Sequence, residues 1–485
     1  MKLFAQNRGS LLIHVIVFSA IAIFLLGGLV SWARLLIQSA HNETQKLQAF
    51  LIAESGTEYY RWHLAHAPED FQDGTGSPGP YIHNFQDKDL NTIGQFSLAI
   101  AEPSVGSTIV VIQSTGSLSG VTNKDSTIET QLGVPSFSKY AVAANDKMRF
   151  GEGTEVFGHI HSNDGIRFDG LAHNIVSSSK EEYNDPDHSG NNEHGVHTHK
   201  EPVDPVPPEN IPARPDVFEA GRATGVPAID FDGLTSTLAN LKTLAQNDGL
   251  YFAASAGVGY HMVLQTNDTF DLYQVDKLMS PPTNKCNNAG QQNWGTWSIA
   301  PGGETFLGTH PFPSNNLLFA EDHVWVDGQI SNARITIAAG RFPEAPGQHK
   351  DIIINKDLLY TTYDGQDSIA LISQGSISTG MNSEDDLRID AALIAQNERV
   401  GRYYYRPPYW HNNSYREACD PYHTRSTITL YGMLATNDRY GFAYSDGSGY
   451  QTRNIIYDAN LLYSPPPHFP LTSDHYEIIS WKETN

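Results

Sequence analysis

Residues 10–33, SLLIHVIVFSAIAIFLLGGLVSWA, form an apolar run in which His14 is the one ionisable side chain. At about 1.5 Å per residue a helix of this stretch is roughly 36 Å long, enough to cross a hydrocarbon core of about 30 Å. Leu11, Leu12, Ile13, Phe18, Ile21, Phe24, Leu25 and Leu29 are its membrane-helix residues. Lys2 and Arg8 precede the run and Arg34 follows it, a bias that puts the amino terminus in the cytoplasm and the rest of the chain outside. Beyond Ala33, Leu35, Leu36, Leu47, Phe50, Leu51, Ala53 and Ala65 recur at three-to-four spacing as far as Pro68, so the span predicts an amphipathic continuation. A removable secretory signal is the competing reading, with Ser31-Trp32-Ala33 as its cleavage site. Its apolar core would be only about 7–15 residues long, and a cleaved signal has no reason to run on into an amphipathic helix.

After Pro68 the helical period disappears. Residues 69–92, rich in Gly, Pro, Asp and Asn, predict connecting loops, and runs at 95–101, 107–114 and 127–132 predict a short antiparallel meander. From residue 140 short apolar strands are separated by Gly, Asn and Asp at close intervals. The pattern returns in VWVDGQISNARITIAAG, DIIINKDLLYTT, DSIALISQGSISTG, DLRIDAALIAQN and STITLYGMLATN. Repeated short β-branched strands ending in a small residue or Asn are the mark of coils that bury a face only against their neighbours. The predicted fold class is therefore mainly β with a long amino-terminal helix and a right-handed parallel β-helix (solenoid) body. A β-sandwich, with longer alternating strands joined by hairpins, is the alternative.

The organisation predicted is a leader at 1–9, a transmembrane and amphipathic helix at 10–67, a small antiparallel β region at 68–137 and first coils at 138–177. A polar insertion at 178–228, a loop or partly disordered, interrupts the coils because it has almost no apolar content. Residues 229–464 then hold a helix from near Asp232, carrying Leu234, Leu238, Leu241 and Leu244 on one side, a hairpin around Asn267-Asp268, and the main solenoid. At 465–485 three prolines, with Phe469, Tyr476 and Trp481, predict an apolar strap capping the last coil.

The net charge of −23 argues against a nucleic-acid partner, which needs Lys and Arg in excess, and suits a large solvated body. Cys286 and Cys419 are the only cysteines. An oxidising exterior permits them to pair, and two cysteines alone make no metal site.

The first 65 residues or so resemble the type IV pilin-like family, in particular minor pilins and pilus-assembly proteins of the PilX type. The likeness lies in a short basic leader ending in Arg8-Gly9, the long apolar helix, and Ala53-Glu54-Ser55-Gly56 where that helix turns amphipathic. The resemblance implies cleavage by a prepilin peptidase between Gly9 and Ser10. It also implies lateral packing of the helix against other pilin-like subunits, and a small pilin-like α+β neck of helix on meander. His14 stands at mature position five, where the family usually carries a glutamate; a mostly neutral imidazole supplies no negative charge there. The carboxy end, with Tyr440-Gly441-Phe442, residues 456–462, Pro465-Pro466-Pro467-His468-Phe469-Pro470 and Trp481, is similar to PilX-like proteins as well.

His159 and His161, two apart on a strand, could reach one ion with Asp164 after the turn, but a hydrogen-bonded solenoid corner is the preferred reading, so no metal is assigned. His188, His194, His197 and His199 lie among Asp185, Asp187 and Glu193, a composition that binds zinc or nickel adventitiously; a solvated insertion is preferred. Asp385, Asp386 and Asp390 invite comparison with β-helical glycosidases, yet adjacent aspartates face opposite ways on a strand. GxSxG, HExxH, Walker and dinucleotide fingerprints are absent from the sequence, and no cofactor is implied. The expectation is a non-catalytic, membrane-anchored structural or adhesive component of a type IV pilus or related secretion machine. Its partners would be the bilayer, other pilin-like subunits and, given 23 tyrosines, surface glycans. A membrane-tethered carbohydrate-active enzyme and a generic surface binding module are the alternatives.

Overall fold

The computed structural model describes residues 10–103, 107–286, 290–345, 347–471 and 475–484. It divides into two compact units, each described by itself. The first holds the amino-terminal helix, residues 109–133 and the carboxy-terminal segment; the second holds most of the remainder.

In the first unit α1 runs unbroken over Ser10–His66. Its early residues are apolar and bare: Leu11, Phe18, Phe24 and Leu29 are all more than half exposed. Further on, Ala49, Ile52, Ala53, Tyr60 and Leu64 are buried against a five-stranded antiparallel sheet. The sheet order is Tyr81–Gln86, Thr92–Ala101, Val110–Leu118, Ser126–Gly133 and, at the far edge, Glu477–Thr484. Phe96, Leu98, Val110, Ile112 and Leu132 supply its inner face.

Two expectations change here. Residues 69–92 are not all loop, because YIHNFQ alternates and pairs with Thr92–Ala101, with a bulge between Phe85 and Gln86. The carboxy-terminal strap is also divided. Phe469 is buried in the second unit, whereas Glu477–Thr484 pairs with Ser126–Gly133 and Trp481 meets Phe50 of α1 edge-on at 5.8 Å.

The second unit is built of parallel ladders. One carries the buried column Leu318, Ile337, Leu371, Leu393, Leu434, Val142, Ile160 and Val176, each in register with the next and each fully buried. Another runs through Leu358, Ile389, Leu430, Ile455, Val156 and Ala172. A third joins Val324, Ile352, Ile377 and Val400. Pairing of this extent is parallel, unlike the antiparallel sheets of a sandwich. Short β-branched strands suffice because each side chain is covered by its equivalents one strand away, at about 4.8 Å.

Chain order and ladder order differ. Leu434 pairs with Val142, so strands from the 250–457 segment are followed in the ladder by strands from the earlier 142–223 segment. The intervening α2, Asp232–Asn247, lays Leu238, Leu241 and Ala245 on the outward column Phe319, Ala338, Ile372, Ile394, Ala435 and Ala143. The alanines in that column leave room for a helix to approach closely.

The polar stretch 178–228 is ordered, contrary to the loop expected. It carries the strands Glu182–Tyr183, Glu193–His194, Val196–His197 and Arg222–Ala223, and Val196, Val217 and Phe218 are buried. Asp204, itself buried, accepts from the Thr198 N–H at 2.9 Å and from Arg222 Nη1 at 2.5 Å. Charges such as Asp204, Arg214 and Arg222 pair with one another, so that this stretch orders with few apolar residues.

Candidate functional sites

The anchor comes first. Among the described residues, α1 is the one helix long and apolar enough to cross a membrane, and none of its most apolar stretch is covered by the protein. Ser10 is its first described residue; Gly9, and with it the proposed cleavage bond, lies outside the described residues. The Ala53-Glu54-Ser55-Gly56 segment marks where α1 meets the sheet. A methyl group at Gly56 would come within 2.3 Å of Ser114 Oγ and 2.8 Å of the Phe96 ring. One at Gly116, on the facing strand, would come within 2.1 Å of the Ala49 carbonyl oxygen and 2.4 Å of the Ala53 nitrogen. Helix and sheet therefore touch backbone to backbone, which only small residues at 49, 53, 56 and 116 allow.

His159 and His161 do converge, but on a hydroxyl. His159 Nε2 lies 2.9 Å and His161 Nδ1 3.0 Å from Ser177 Oγ, which donates to the Ile160 carbonyl at 3.1 Å. Both imidazoles must then donate to the serine. Burial depresses both, His161 to about 4, so they are neutral at physiological pH. Asp164 turns to its own corner, where Oδ1 accepts the Gly165 N–H at 2.9 Å.

The aspartates also separate. Asp390 is fully buried and accepts from the Tyr360 N–H at 3.1 Å, the Tyr363 hydroxyl at 2.8 Å and Arg388 Nε at 2.8 Å. Asp385, exposed, faces Arg425 at 3.5 Å. Asp390 is thus buried and engaged with the 360–363 segment and Arg388, while Asp385 is exposed.

Cys286 and Cys419 form a disulfide, fully buried beside Met381, Tyr403 and Tyr405. Next to it Arg402, also fully buried, donates to the carbonyls of Gly380, Met381 and Tyr422 and to Ser383 Oγ, tying that loop to the ladder.

The histidine tract is where sequence reasoning fell furthest short. Three of its four imidazoles gather around two buried carboxylates. His197 Nε2 lies 3.6 Å from Asp185 Oδ2, His199 Nε2 3.6 Å from Glu193 Oε1, and His188 Nδ1 3.2 Å from the same Glu193 oxygen. His194 departs, its Nε2 meeting the Glu209 carbonyl at 3.0 Å. Burial alone would raise the Asp185 carboxyl, but His197, the Asp187 N–H and Arg167 outweigh it and hold it below the ordinary carboxylate range. Neither ring nitrogen of His197, nor Asp185 Oδ2, nor His199 Nε2 has a hydrogen-bond partner among the described residues. Leaving such atoms unsatisfied costs about 1–3 kcal/mol apiece. The signal that could have found the cluster was the His-Thr-His spacing at 197–199, which puts two imidazoles on one face of an extended strand. A cleft of about 1190 Å³ opens beside His199, lined also by Arg149, Arg167, Asp187 and Arg439.

No family model matches the chain, and no curated protein matches it. Among solved structures it is similar to the competence-associated pilin ComZ from Thermus thermophilus, at 12% identity and a TM-score of 0.35, over 91% of this chain and 98% of that one.

Proposed function

We propose that this chain is a membrane-anchored, pilin-like structural component of a type IV pilus or related secretion machine, with a β-solenoid body held outside the cytoplasmic membrane. The observation that carries the reading is α1 itself. One continuous helix of 57 residues has a bare apolar first half and a second half seated on an antiparallel sheet through Ala49, Ala53 and Gly56. A helix uncovered over that length needs lipid or the matching helices of other subunits to cover it. The parallel ladders, each column repeating the same kind of side chain, support the solenoid, and a solenoid suits a body that displays an extended surface. Surface glycans remain its proposed ligands, and other pilin-like subunits its proposed neighbours in the membrane.

The test is the mature amino terminus. Protein isolated from cell membranes should begin at Ser10 by intact mass and peptide sequencing, and Gly9→Leu should retain the leader. Native protein that begins at Met1, with Gly9→Leu heavier than it only by the substituted side chain, would defeat the processing step. Protein that begins after Ala33 and stays soluble would defeat the anchor too.

A further inference from the structure

We propose that Asp185, Glu193, His197 and His199 form a binding site for one divalent cation of the zinc class, with His188 at its outer edge. The ligand atoms of Asp185, His197 and His199 lie within 4.8 Å of one another, as do those of His188, Glu193 and His199, so His199 belongs to both trios. Donors on a tetrahedral zinc ion, with bonds of about 2.0–2.1 Å, lie about 3.3–3.4 Å apart. Within the four, Asp185 Oδ2 lies 3.6 Å from His197 Nε2 and Glu193 Oε1 lies 3.6 Å from His199 Nε2. Each of the two carboxylate–imidazole pairs already stands near the separation such an ion requires, and His199 joins them.

Three further observations point to a ligand. His197 is wholly buried with both ring nitrogens unpartnered among the described residues, and Asp185 Oδ2 and His199 Nε2 share that condition. A bound cation would take up Asp185 Oδ2, His199 Nε2 and one ring nitrogen of His197, whose other nitrogen then carries the proton. The backbone around the site is also fixed without help from the ligand atoms. The His199 N–H donates to Asp169 Oδ1 at 2.8 Å, the Thr198 N–H to Asp204 Oδ2 at 2.9 Å, and the Asp187 N–H to Asp185 Oδ1 at 2.9 Å. The backbone that carries the ligands is therefore held in shape by these hydrogen bonds.

Arg167, the arginine that faces Asp185, does not compete. Arg167 Nη1 stands 3.9 Å from Asp185 Oδ2, but its Nε–H goes to Asp169 Oδ2 at 2.8 Å. Imidazole nitrogens mixed with carboxylate oxygens favour zinc over calcium or magnesium, which take oxygen. Two imidazoles and two carboxylates make a closed set of four, so the ion would be structural. It would pin the hairpin 182–194 to the strand Val196–His197 and so order a stretch poor in apolar residues.

The full chain, purified in detergent micelles and stripped with a chelator, is titrated with zinc sulfate and passed through gel filtration. One zinc ion retained per chain is expected. Asp185→Asn and His199→Gln should each weaken it by about a hundredfold or more, the upper end of what loss of a mere supporting partner costs. His194→Gln should leave it unchanged. Substoichiometric retention by the wild type overturns the site. So does an equal loss in His194→Gln, which would mean loose capture by the tract. Should the ligand variants fail to fold, X-ray absorption at the zinc edge of the loaded wild type decides. A shell with two imidazoles supports the site, and one of oxygens alone overturns it.

Discussion

Gly116→Ala is the sharpest test of how α1 is joined to the first unit. The added methyl group would fall 2.1 Å from the Ala49 carbonyl oxygen, 2.4 Å from the Ala53 nitrogen and 3.1 Å from the Ala53 Cα. All three are backbone atoms of a helix, so no rotamer change relieves the clash. Ordinary contact requires more than 3 Å, so α1 must retreat from the sheet by about 1 Å, and a gap of that size forfeits a quarter to a half of the dispersion energy across it. Ile52, Tyr60 and Leu64 would lose part of their packing on Phe96, Leu98 and Ile112. Overpacking of this kind costs about 1–3 kcal/mol, and the unyielding backbone puts this case at about 2–3 kcal/mol. Because the chain has two units, one melting curve would blur the effect, and hydrogen exchange read by mass spectrometry localises it. Amides of 49–64 and 110–118 should exchange roughly thirty- to hundred-and-fifty-fold faster, with those of the parallel ladders unmoved. Gly27→Ala is the contrast: its methyl group meets nothing within 4 Å, and it should stabilise the helix by up to about 1 kcal/mol. Exchange in Gly116→Ala indistinguishable from wild type would refute the backbone contact.

Two other predictions concern the second unit. His261 is buried, and burial alone would push its imidazole down, but hydrogen bonds with Asp327 Oδ2 at 2.9 Å and Glu304 Oε2 at 2.7 Å raise it to about 9. A raised value means that this contribution, on the order of 3 kcal/mol, is fully present below about pH 6.5 and disappears as the pH climbs through 9. Thermal melts across that window should show the loss, and His261→Gln should flatten it; an equally steep variant curve would contradict the assignment. The disulfide closes a sequence separation of 133 residues, worth about 5 kcal/mol on the chain-entropy account. Replacing both cysteines by serine should lower the denaturation midpoint of the ladders and leave exchange in the helix-and-sheet unit unaltered. Since both sulfurs are fully buried, thiol reductants should leave the native disulfide intact until denaturant is added.

Periodicity made some of this protein legible and left the rest hidden. The continuous helix could be read from spacing because apolar recurrence at three to four residues has one local solution. The short strands could be read from β-branched runs bounded by Gly, Asn and Asp, and α2 begins at Asp232, where the leucine spacing opens. The strand Tyr81–Gln86 escaped because His83 and Asn84 dilute its alternation among turn residues. The buried valines and Phe218 of 178–228 escaped because a tract of charges looks solvated until its ion pairs are seen to close on one another. His197 and His199 could be paired from their spacing, but Asp185, His188 and Glu193 stand too irregularly along the chain to be assigned to the same point.

What the sequence by itself determined is local: a helix able to span a membrane, strands too short to bury a face alone, and small residues at 49, 53, 56 and 116. Which strand lies beside which was decided only in three dimensions. Parallel ladders bury any column of similar side chains equally well, so nothing in the order of residues compels Leu434 to pair with Val142, or Glu477–Thr484 to return to the sheet of the first unit. The apolar faces and ladder edges left open at each stage select those partners.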